Sequence, residues 1–388
     1  MMSNEIFFKP VTIGRRQAVN CFAYQPTETN NCHESGSPGS VTFDVYRERA
    51  KGKPGLLFIE SVDVNTDCQA RSNRMVLNES TKEGFRKLVS EIKKISPETL
   101  VLFQMSHAGR LSDPGFREPL FVYARTDGET IMTTEEVRKA AADFAAAALL
   151  ADEIGADGVD LKQAHGFLAG DFLHPANNRK DEYGGSFENR TRFFSEVFKA
   201  VKSSCSSNFI IGTRISPYEG IPGGCGSAGA DSVIEDLTEM EEYVRILEKM
   251  GIDFINVSAG YAAANLEILL PTATFPEGVY RHFSWTRQIK KQISIPVIGS
   301  GYSHPADGNN SLTASDVSKK STLYFAGRNL AEGNVDFIGL GRQCIADPLF
   351  ALKVKEGRES EINWCTTCSG CGMQLGGNEQ VSCTVYKN

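Results

Sequence analysis

Short runs of hydrophobic residues recur along the chain, and segments with helical periodicity separate them. Each run is nearly continuous in Val, Ile, Leu and Phe, which is typical of strands buried on both faces. The sequence therefore predicts eight strands. They are AVNCFAYQP (18–26), GLLFIESV (55–62), TLVLFQMSH (99–107), GADGVDLK (155–162), NFIIGTRIS (208–216), GIDFINVS (251–258), SIPVIGSG (294–301) and NVDFIGLG (334–341).

Amphipathic segments before several of these runs predict helices. Thr133 and Glu136 stand at capping-box spacing at the start of the segment Glu135 to Ile154. The segment 232–250 is a second predicted helix, and Gly251 follows it as a residue that commonly ends helices. Eight strands alternating with helices fit a (β/α)8 barrel, an α/β fold of ~200 to over ~400 residues. A doubly wound parallel sheet is the alternative.

Polar residues stand where the hydrophobic runs end. In a barrel all the carboxyl ends of the strands meet on one face, so these residues would surround one pocket, whereas a two-sided sheet would not gather all of them. The pattern therefore favours the barrel. The residues are Gln104, His107, Lys162, His165, Arg214, Asn256, Ser258, Gly301 and Arg342.

Composition excludes several classes of protein. The 388 residues are 41% hydrophobic and carry a net charge of −7 without a basic run, which argues against nucleic acid or an anionic membrane as a partner. No apolar stretch has the length that a bilayer requires, and the N-terminus lacks the order of residues of a signal peptide. We expect a cytoplasmic globular protein.

Four of the ten cysteines crowd the C-terminal stretch WCTTCSGCGMQLGGNEQVSC: Cys365, Cys368, Cys371 and Cys383. In a cytosolic protein such crowding indicates a metal site rather than disulfides. Two short gaps followed by a longer one suit a 4Fe-4S cluster, while structural zinc more often has two separated C-x-x-C pairs. Zinc and chance spacing stay open. We expect a barrel over residues 1–346 and a metal-binding segment over residues 347–388.

Glycines end the last two predicted strands, in PVIGSG (296–301) and FIGLGR (337–342). Barrels often bind a phosphate group after strands seven and eight, and small residues let backbone N–H groups approach it. Tight turns explain the glycines equally well. Gln104 and Arg214 offer an amide and a guanidinium that suit a planar heterocycle. Alternatively, Arg214 pairs with Glu219.

Lys162 ends the fourth predicted strand and His165 lies in the turn after it, where both offer donors that can hold and polarise a carbonyl oxygen or a carboxylate. The alternatives are a structural salt bridge for Lys162 and a loop histidine with satisfied hydrogen bonds for His165.

The run AHGFLAGDFLHPANNRKDEYGGSFENRTRF, which follows these residues, resembles the signature loop of the Old Yellow Enzyme superfamily of FMN-dependent oxidoreductases. The stretches FKPVTIG, NCFAYQPTE, QMSHAGR, GTRIS, PVIGSGYS and DFIGLGRQCIADP occur in the family's order. The resemblance spans residues 7 to 383. With the cysteine-rich tail, the chain is most similar to the iron-sulfur branch, which includes 2,4-dienoyl-CoA reductase and trimethylamine dehydrogenase.

The resemblance implies roles for individual residues. Lys162 and His165 fall on the two positions that hold the substrate's oxygen in many members. The cysteines Cys365, Cys368, Cys371 and Cys383 match the segment that binds a 4Fe-4S cluster. The FMN-binding positions are Gln25, Pro26 and Thr27 along the flavin, Gln104 and Arg214 at its pyrimidine edge, and Gly301, Gly341 and Arg342 at its phosphate.

Two departures from the family qualify these roles. Phe167 stands where many members have a tyrosine that donates a proton, so we expect the proton from Lys162, His165, Tyr261, Tyr24 or water. Larger members of the branch continue into FAD- and NAD(P)-binding domains after the cysteine segment, whereas this chain stops at Asn388. We therefore expect an external electron donor or acceptor such as a ferredoxin, an electron-transferring flavoprotein or an NAD(P)H-oxidising subunit.

The resemblance predicts an ene-reductase that transfers hydride from reduced FMN to an activated C=C bond of an unsaturated carbonyl compound, acid or thioester. One alternative is an amine dehydrogenase or demethylase that passes electrons from FMN through the cluster to an acceptor. Others are a barrel lyase that forms a Schiff base on Lys162 and a non-catalytic electron carrier. The sequence leaves the substrate and a homo-oligomeric state open.

Overall fold

The computed structural model describes residues 4–67, 69–271, 277–303 and 322–386. The sequence also predicts a loop over the Gly-, Ser- and Asn-rich stretch 304–316, which lies outside the described residues.

Eight parallel strands form a closed barrel in the order β10-β3-β4-β5-β6-β7-β8-β9. Each of the eight predicted runs overlaps one of these strands, so the (β/α)8 barrel is confirmed and the doubly wound sheet is wrong. A separate antiparallel hairpin, β1 (Val11–Ile13) and β2 (Arg16–Ala18), precedes the barrel. The barrel strands are β3 (Phe22–Tyr24), β4 (Leu56–Asp63), β5 (Leu100–Ser106), β6 (Gly158–Gln163), β7 (Ile210–Ile215), β8 (Phe254–Val257), β9 (Val297–Gly299) and β10 (Phe337–Leu340).

Helices connect most of the strands. The helices are α1 (Ser40–Lys51), α2 (Lys82–Ile95), α3 (Thr134–Glu153), α4 (Leu168–Asp171), α5 (Phe187–Ser204), α6 (Thr238–Met250), α7 (Leu266–Leu269), α8 (Glu277–Lys290), α9 (Thr322–Ala331), α10 (Arg342–Ala346), α11 (Phe350–Lys355) and α12 (Gly370–Gly376). Short 3-10 helices cover Asn4–Phe8, Gly109–Leu111 and Glu359–Glu361. None of these helices is long and apolar enough to cross a membrane, among the residues described.

The predicted capping box is present at α3, where Thr133 accepts from the backbone of Glu136 and the Glu136 carboxylate accepts from the backbone of Thr133. The second predicted helix begins later than expected, at Thr238 rather than at residue 232. Asp236 accepts hydrogen bonds from the backbone and the hydroxyl of Thr238, and Glu235 pairs in a bridge with Ser227. These local bonds hold the preceding residues outside the helix.

Side chains alternate between the two sides of the barrel wall. Leu56 and Phe58 belong to the interior cluster with Ile13 and Ala18 of the N-terminal hairpin, while Leu57 and Ile59 pack in the outer cluster with the helices. The hairpin thus closes the amino-terminal end of the barrel. Hydrophobic packing fills the interior, and the carboxyl ends of the strands are left to form a site.

The cysteine-rich segment packs against the loops that leave the first two barrel strands. The backbone N–H of Val381 donates to the carbonyl of Thr29, the Asn30 amide donates to the carbonyl of Leu375, and the Asn73 amide donates to that of Asn378. These bonds fix the segment at the carboxyl ends of the strands.

Candidate active site

A cleft of about 1280 Å³, its open mouth included, lies at the carboxyl ends of the strands. Its wall brings together residues from β5, β6, β7 and β10 and from the segments that follow β3, β9 and β10. The structure therefore gathers ten predicted residues around one space: Gln25, Pro26, Thr27, Gln104, Lys162, His165, Arg214, Gly301, Gly341 and Arg342.

A buried network fixes the amide side chains at the bottom of the cleft. The amides of Gln25 and Asn256 pair with each other at 2.8 and 2.9 Å, and Gln104 Nε2 donates to Asp160 Oδ2 at 2.9 Å. Asn256 Nδ2 also donates to Asp160 at 3.1 Å. Because each amide group is held by a partner, the orientation of Gln104 toward the cleft is set before any ligand binds.

Arg214 presents a guanidinium that protein groups satisfy only in part. Its Nη2 donates to Ser258 Oγ at 3.1 Å, while its buried Nε has no partner among the described residues. Burial lowers the pKa of Arg214 to about 10, against a smaller opposite effect of Asp160. Glu219 instead contacts His174, so the alternative pairing of Arg214 with Glu219 is wrong. A ligand with acceptor atoms would complete this site.

The predicted phosphate region has a similar unfilled donor. Arg342 Nη2 donates to the carbonyl of Pro271 at 2.6 Å, and Arg342 Nη1 is buried with no partner among the described residues. Gly301 has a φ of +96°, which a residue with a side chain rarely adopts. A cationic donor beside glycine backbone is suited to an anion.

Lys162 and His165 lie side by side at the end of β6. Lys162 Nζ donates to Ser61 Oγ at 3.1 Å, and no carboxylate lies within 4.0 Å of it in the described part of the chain, so the salt-bridge alternative is not observed. His165 Nε2 lies 2.8 Å from Ser258 Oγ. Burial lowers the pKa of both side chains well below their usual ranges. Both therefore favour the neutral state, in which they still donate hydrogen bonds.

An ionic network that the sequence pattern does not predict lies near Lys162. Glu28 pairs with Arg71 and with Arg74 at 2.8 Å, and Arg74 also pairs with Asp63 at 2.7 Å. Although burial favours the neutral acid, these arginines lower the pKa of Glu28 to about 2. Glu28 directly follows the predicted stretch Gln25–Thr27, and this position indicates that it lies near the cleft. Nothing in the sequence indicates that Glu28 pairs with Arg71.

Tyr261 and Tyr24 are not among the residues that line the cleft. The ring of Tyr261 packs against Gly166, and its buried hydroxyl has no partner among the described residues. The Tyr24 hydroxyl donates to the carbonyl of Pro348 at 2.9 Å and accepts from the backbone of Ala351. These positions do not favour either tyrosine as a proton donor in the cleft.

A second, smaller cavity of about 310 Å³ is lined by all four predicted metal ligands, Cys365, Cys368, Cys371 and Cys383. All four thiols are free of disulfides. Backbone N–H groups of Thr367 and Tyr386 lie 3.4 Å from the sulfurs of Cys365 and Cys383. Four thiols around one cavity, with N–H donors to their sulfurs, are a donor set that fits an iron-sulfur cluster and also fits zinc.

The two cavities share part of their walls. Arg342, Ile345, Ser369 and Cys371 line both of them. Cys371 thus stands between the cleft and the other cysteines, while Cys368 is exposed to solvent. The cysteine-lined cavity therefore connects the protein surface at Cys368 with the cleft at Cys371.

The (β/α)8 barrel presents amide and cationic donors at its carboxyl face, an arrangement that suits a flavin-dependent oxidoreductase. Residues 6–361 match the NADH:flavin oxidoreductase / NADH oxidase family, and the chain belongs to that family. The predicted resemblance to the Old Yellow Enzyme superfamily is therefore confirmed.

Individual relatives differ in the activities that their names state. The chain is 31% identical to an NADH oxidase of Thermoanaerobacter brockii, over 97% of this chain and 55% of the relative. It is 27% identical to a cinnamate reductase of Clostridium sporogenes, over 98% and 57%. Its structure is similar to that of histamine dehydrogenase from Rhizobium sp. 4-9, with a TM-score of 0.78, 25% identity and coverage of 98% and 52%. The chain thus spans just over half the length of these proteins.

Proposed function

We propose that this chain is an FMN- and 4Fe-4S-dependent ene-reductase that acts on an activated C=C bond. When bound, FMN would supply the hydride and the cluster would supply single electrons. Gln25, Pro26, Thr27, Gln104, Arg214, Gly301, Gly341 and Arg342 would hold FMN, and Cys365, Cys368, Cys371 and Cys383 would hold the cluster.

The observation that carries this proposal is the composition of a single cleft. Arg214 and Arg342 line the cleft, and each has a buried N–H group without a partner among the described residues, which suits a flavin ring edge and a phosphate as ligands. Lys162 and His165 line the same space, and no carboxylate of the described residues lies within 4.0 Å of the Lys162 amine. The cleft thus combines a cofactor subsite with a subsite for an electron-rich oxygen atom.

Lys162 and His165 would bind the carbonyl or carboxylate oxygen of the substrate. Negative charge grows on that oxygen as the β-carbon accepts hydride, so donors fixed in a buried site stabilise the transition state more than the bound substrate. Ser61 and Ser258 hold the two donors in place at 3.1 and 2.8 Å.

The proton for the α-carbon would come from water or from the protonated form of Lys162 or His165, each of which burial otherwise keeps neutral until it takes up a proton from solvent. Phe167 lines the cleft but has no proton to donate, and the two tyrosines considered above lie outside the cleft lining. Lys162 and His165 are titratable and line the cleft together with Phe167, so they can relay a proton to a substrate held there.

Electrons would enter through the cysteine-rich segment from an external partner. Cys368 is exposed at the surface and Cys371 lines the cleft, which supports an inward path for single electrons. A ferredoxin, an electron-transferring flavoprotein or an NAD(P)H-oxidising subunit would fit this requirement.

An anaerobic titration tests the proposal. The protein is reduced completely with dithionite and then mixed with enones, enoyl-CoA thioesters and unsaturated acids such as cinnamate. Return of the oxidised flavin and cluster absorption with one of these compounds, together with the saturated product, is the expected result. A reduced protein that none of them reoxidises would contradict ene-reduction.

Amine oxidation is the second candidate. Burial favours neutral Lys162 and His165, which removes the repulsion that a charged lysine would exert on an alkylammonium substrate. The structural similarity to histamine dehydrogenase points in the same direction. Bleaching of the oxidised protein by an amine, with release of the dehydrogenated product, would favour this candidate over ene-reduction.

A further inference from the structure

A separate polar cluster lies behind the loop that carries His165, outside the cleft lining. His174 follows α4, whereas Glu219 and Cys225 belong to the loop after β7. All three side chains are buried, and their Nε2, carboxylate oxygen and Sγ atoms lie within 4.8 Å of one another. The proposed oxidoreductase chemistry uses none of the three.

The carboxylate of Glu219 lacks the partners that a buried charge requires. No Lys or Arg nitrogen of the described chain lies within 4.0 Å of it, although its Oε2 accepts from the backbone of Cys225 at 3.1 Å. Its Oε1 has no partner there. A buried carboxylate in this state calls for a cation.

His174 does not satisfy Glu219 through an ordinary hydrogen bond. Its Nε2 lies 2.7 Å from Oε2, yet the geometry leaves Nε2 without a hydrogen-bond partner among the described residues. The approach of the carboxylate lies off the direction of the ring N–H, and one ligand atom each of His174, Glu219 and Cys225 lies within 4.8 Å of the others. A ring nitrogen, a carboxylate oxygen and a thiol this close together can reach one ion after small shifts of their side chains.

Two more buried groups nearby lack partners. The hydroxyl of Tyr261 and Oδ1 of Asp171 have no hydrogen bond within the described structure, and the Tyr261 ring centroid is 6.3 Å from that of His174. Asp171 Oδ1 lies 3.7 Å from His174 Nδ1. Unpaired buried polar atoms gathered in one place indicate a missing polar species rather than a tightly packed core.

We propose that His174, Glu219 and Cys225 bind a divalent transition-metal ion, with zinc as the best match. Imidazole nitrogen, carboxylate oxygen and thiolate sulfur are the three donor types that zinc accepts in tetrahedral sites. The ion would neutralise the Glu219 carboxylate and the Cys225 thiolate. Water or the Tyr261 hydroxyl would complete the coordination.

The surroundings of His174 suit a metal ligand after one adjustment. Tyr123 Oη and Arg125 Nη2 both lie 2.8 Å from Nδ1. With the ion on Nε2, Nδ1 carries the hydrogen and donates it to Tyr123 Oη, as ligating histidines commonly do to a nearby oxygen. Arg125 Nη2 cannot donate to a protonated Nδ1, so it would turn to Asp171 Oδ1, 3.7 Å away.

The ion would join two loops that border the cleft. His174 lies on the loop that continues from His165 and Phe167, and Glu219 and Cys225 lie on the loop that continues from Arg214. A zinc ion bound by residues of both loops would fix their positions relative to each other. This role is structural and does not depend on FMN or on the C-terminal cysteines.

Metal analysis of the holoenzyme, produced anaerobically with zinc in the medium, tests the proposal. Plasma mass spectrometry should find one zinc per chain in addition to iron, and zinc X-ray absorption should show one sulfur neighbour at ~2.3 Å. Cys225→Ser and His174→Gln should each retain less than a tenth of the zinc. Cys205→Ser, which changes a half-buried cysteine away from this cluster, should retain it all.

Two outcomes would overturn the proposal. One is wild-type protein without stoichiometric zinc or another divalent metal besides iron, which would show that the cluster is a hydrogen-bonded network; this result needs no variant to fold. The other is zinc that persists in Cys225→Ser but disappears in Cys371→Ser, which would place the ion at the C-terminal cysteines and contradict the iron-sulfur proposal instead.

Discussion

The amine of Lys162 lies 3.3 Å from the centroid of the Phe167 ring. The guanidinium carbon of Arg74 lies 5.3 Å from the same centroid. A phenylalanine at this position therefore lacks the proton that a tyrosine would donate, but its ring face contacts the Lys162 amine, which can donate an N–H to the π system in its neutral state as well. The Phe167 ring and the Ser61 hydroxyl together fix the position of the buried Lys162 amine. A hydrogen-bond donor held in place at a buried site stabilises a developing negative charge most effectively.

Lys162→Ala should lower turnover by roughly 10² to 10³-fold and leave FMN content unchanged. The variant removes a donor to the substrate oxygen, and loss of one such donor typically has an effect of this size. Steady-state kinetics with the accepted alkene and flavin absorbance per chain measure the two quantities.

Lys202→Ala is the matched control because Lys202 lies on α5 outside the barrel and contacts the carbonyl of Met250. Its turnover should equal that of the wild type. If Lys162→Ala instead lost its flavin at normal turnover per flavin, Lys162 would serve the cofactor rather than the substrate.

Arg214→Met should weaken FMN binding by roughly 10- to 150-fold, which corresponds to a hydrogen bond from a charged group of ~1.5–3 kcal/mol. The reason is the unfilled Nε of Arg214 in the cleft. Quenching of FMN fluorescence on addition of apoprotein measures the Kd. Arg328→Met is the control, because Arg328 lies on α9 and forms an exposed ion pair with Glu332. An unchanged Kd for Arg214→Met would remove Arg214 from the flavin site.

The barrel was predictable because strands of a buried parallel sheet have nearly continuous runs of apolar residues. All eight predicted runs overlap a barrel strand. The cleft followed from topology, since residues that end parallel strands must meet on one face. This rule placed Gln104, Lys162, Arg214 and Arg342 together although more than 200 residues separate the first from the last.

Other features depend on contacts that no local pattern encodes. The pairing of Glu28 with Arg71 joins two loops, and the burial of Tyr261 behind Gly166 depends on how the loops after β6 and β8 pack. Helix α6 begins later than predicted because the side chain of Asp236 accepts hydrogen bonds that compete with helical ones. The periodicity of hydrophobic residues does not reveal such local bonds.

Cys371→Ser should remove most of the iron from the protein and leave the FMN content near normal. Serine is a poor ligand for an iron-sulfur cluster, while the flavin donors Arg214 and Arg342 are unchanged. Colorimetric iron analysis and the absorption of the anaerobic protein measure the effect. Cys205→Ser should keep its iron. If the wild type holds zinc and no iron at these cysteines, the zinc alternative is correct and the electron path proposed here is wrong.

Glu60→Gln should make the protein progressively more stable than the wild type as the pH rises from 5 to 8. Burial raises the pKa of Glu60 from 4.5 to about 7, only partly offset by the backbone N–H of Thr29. Between these values the folded state binds more protons than the unfolded state, so the contribution of Glu60 to stability is present below pH 4.5 and is lost as the pH rises through 7. The full difference corresponds to about 3 kcal/mol.

Glutamine reproduces the protonated form of Glu60 without its titration. It can donate to Thr29 Oγ1, which lies 2.8 Å from Glu60 Oε1 and 2.9 Å from Thr42 Oγ1, so the hydroxyl chain stays satisfied. The buried His107 and His282 have pKa values lowered to about 4, and both oppose this trend because they lose stability as the pH falls. They are common to both proteins and cancel in the difference. Anaerobic urea unfolding of both proteins at several pH values measures that difference, and a gap that stays constant from pH 5 to pH 8 would show that Glu60 is ionised throughout.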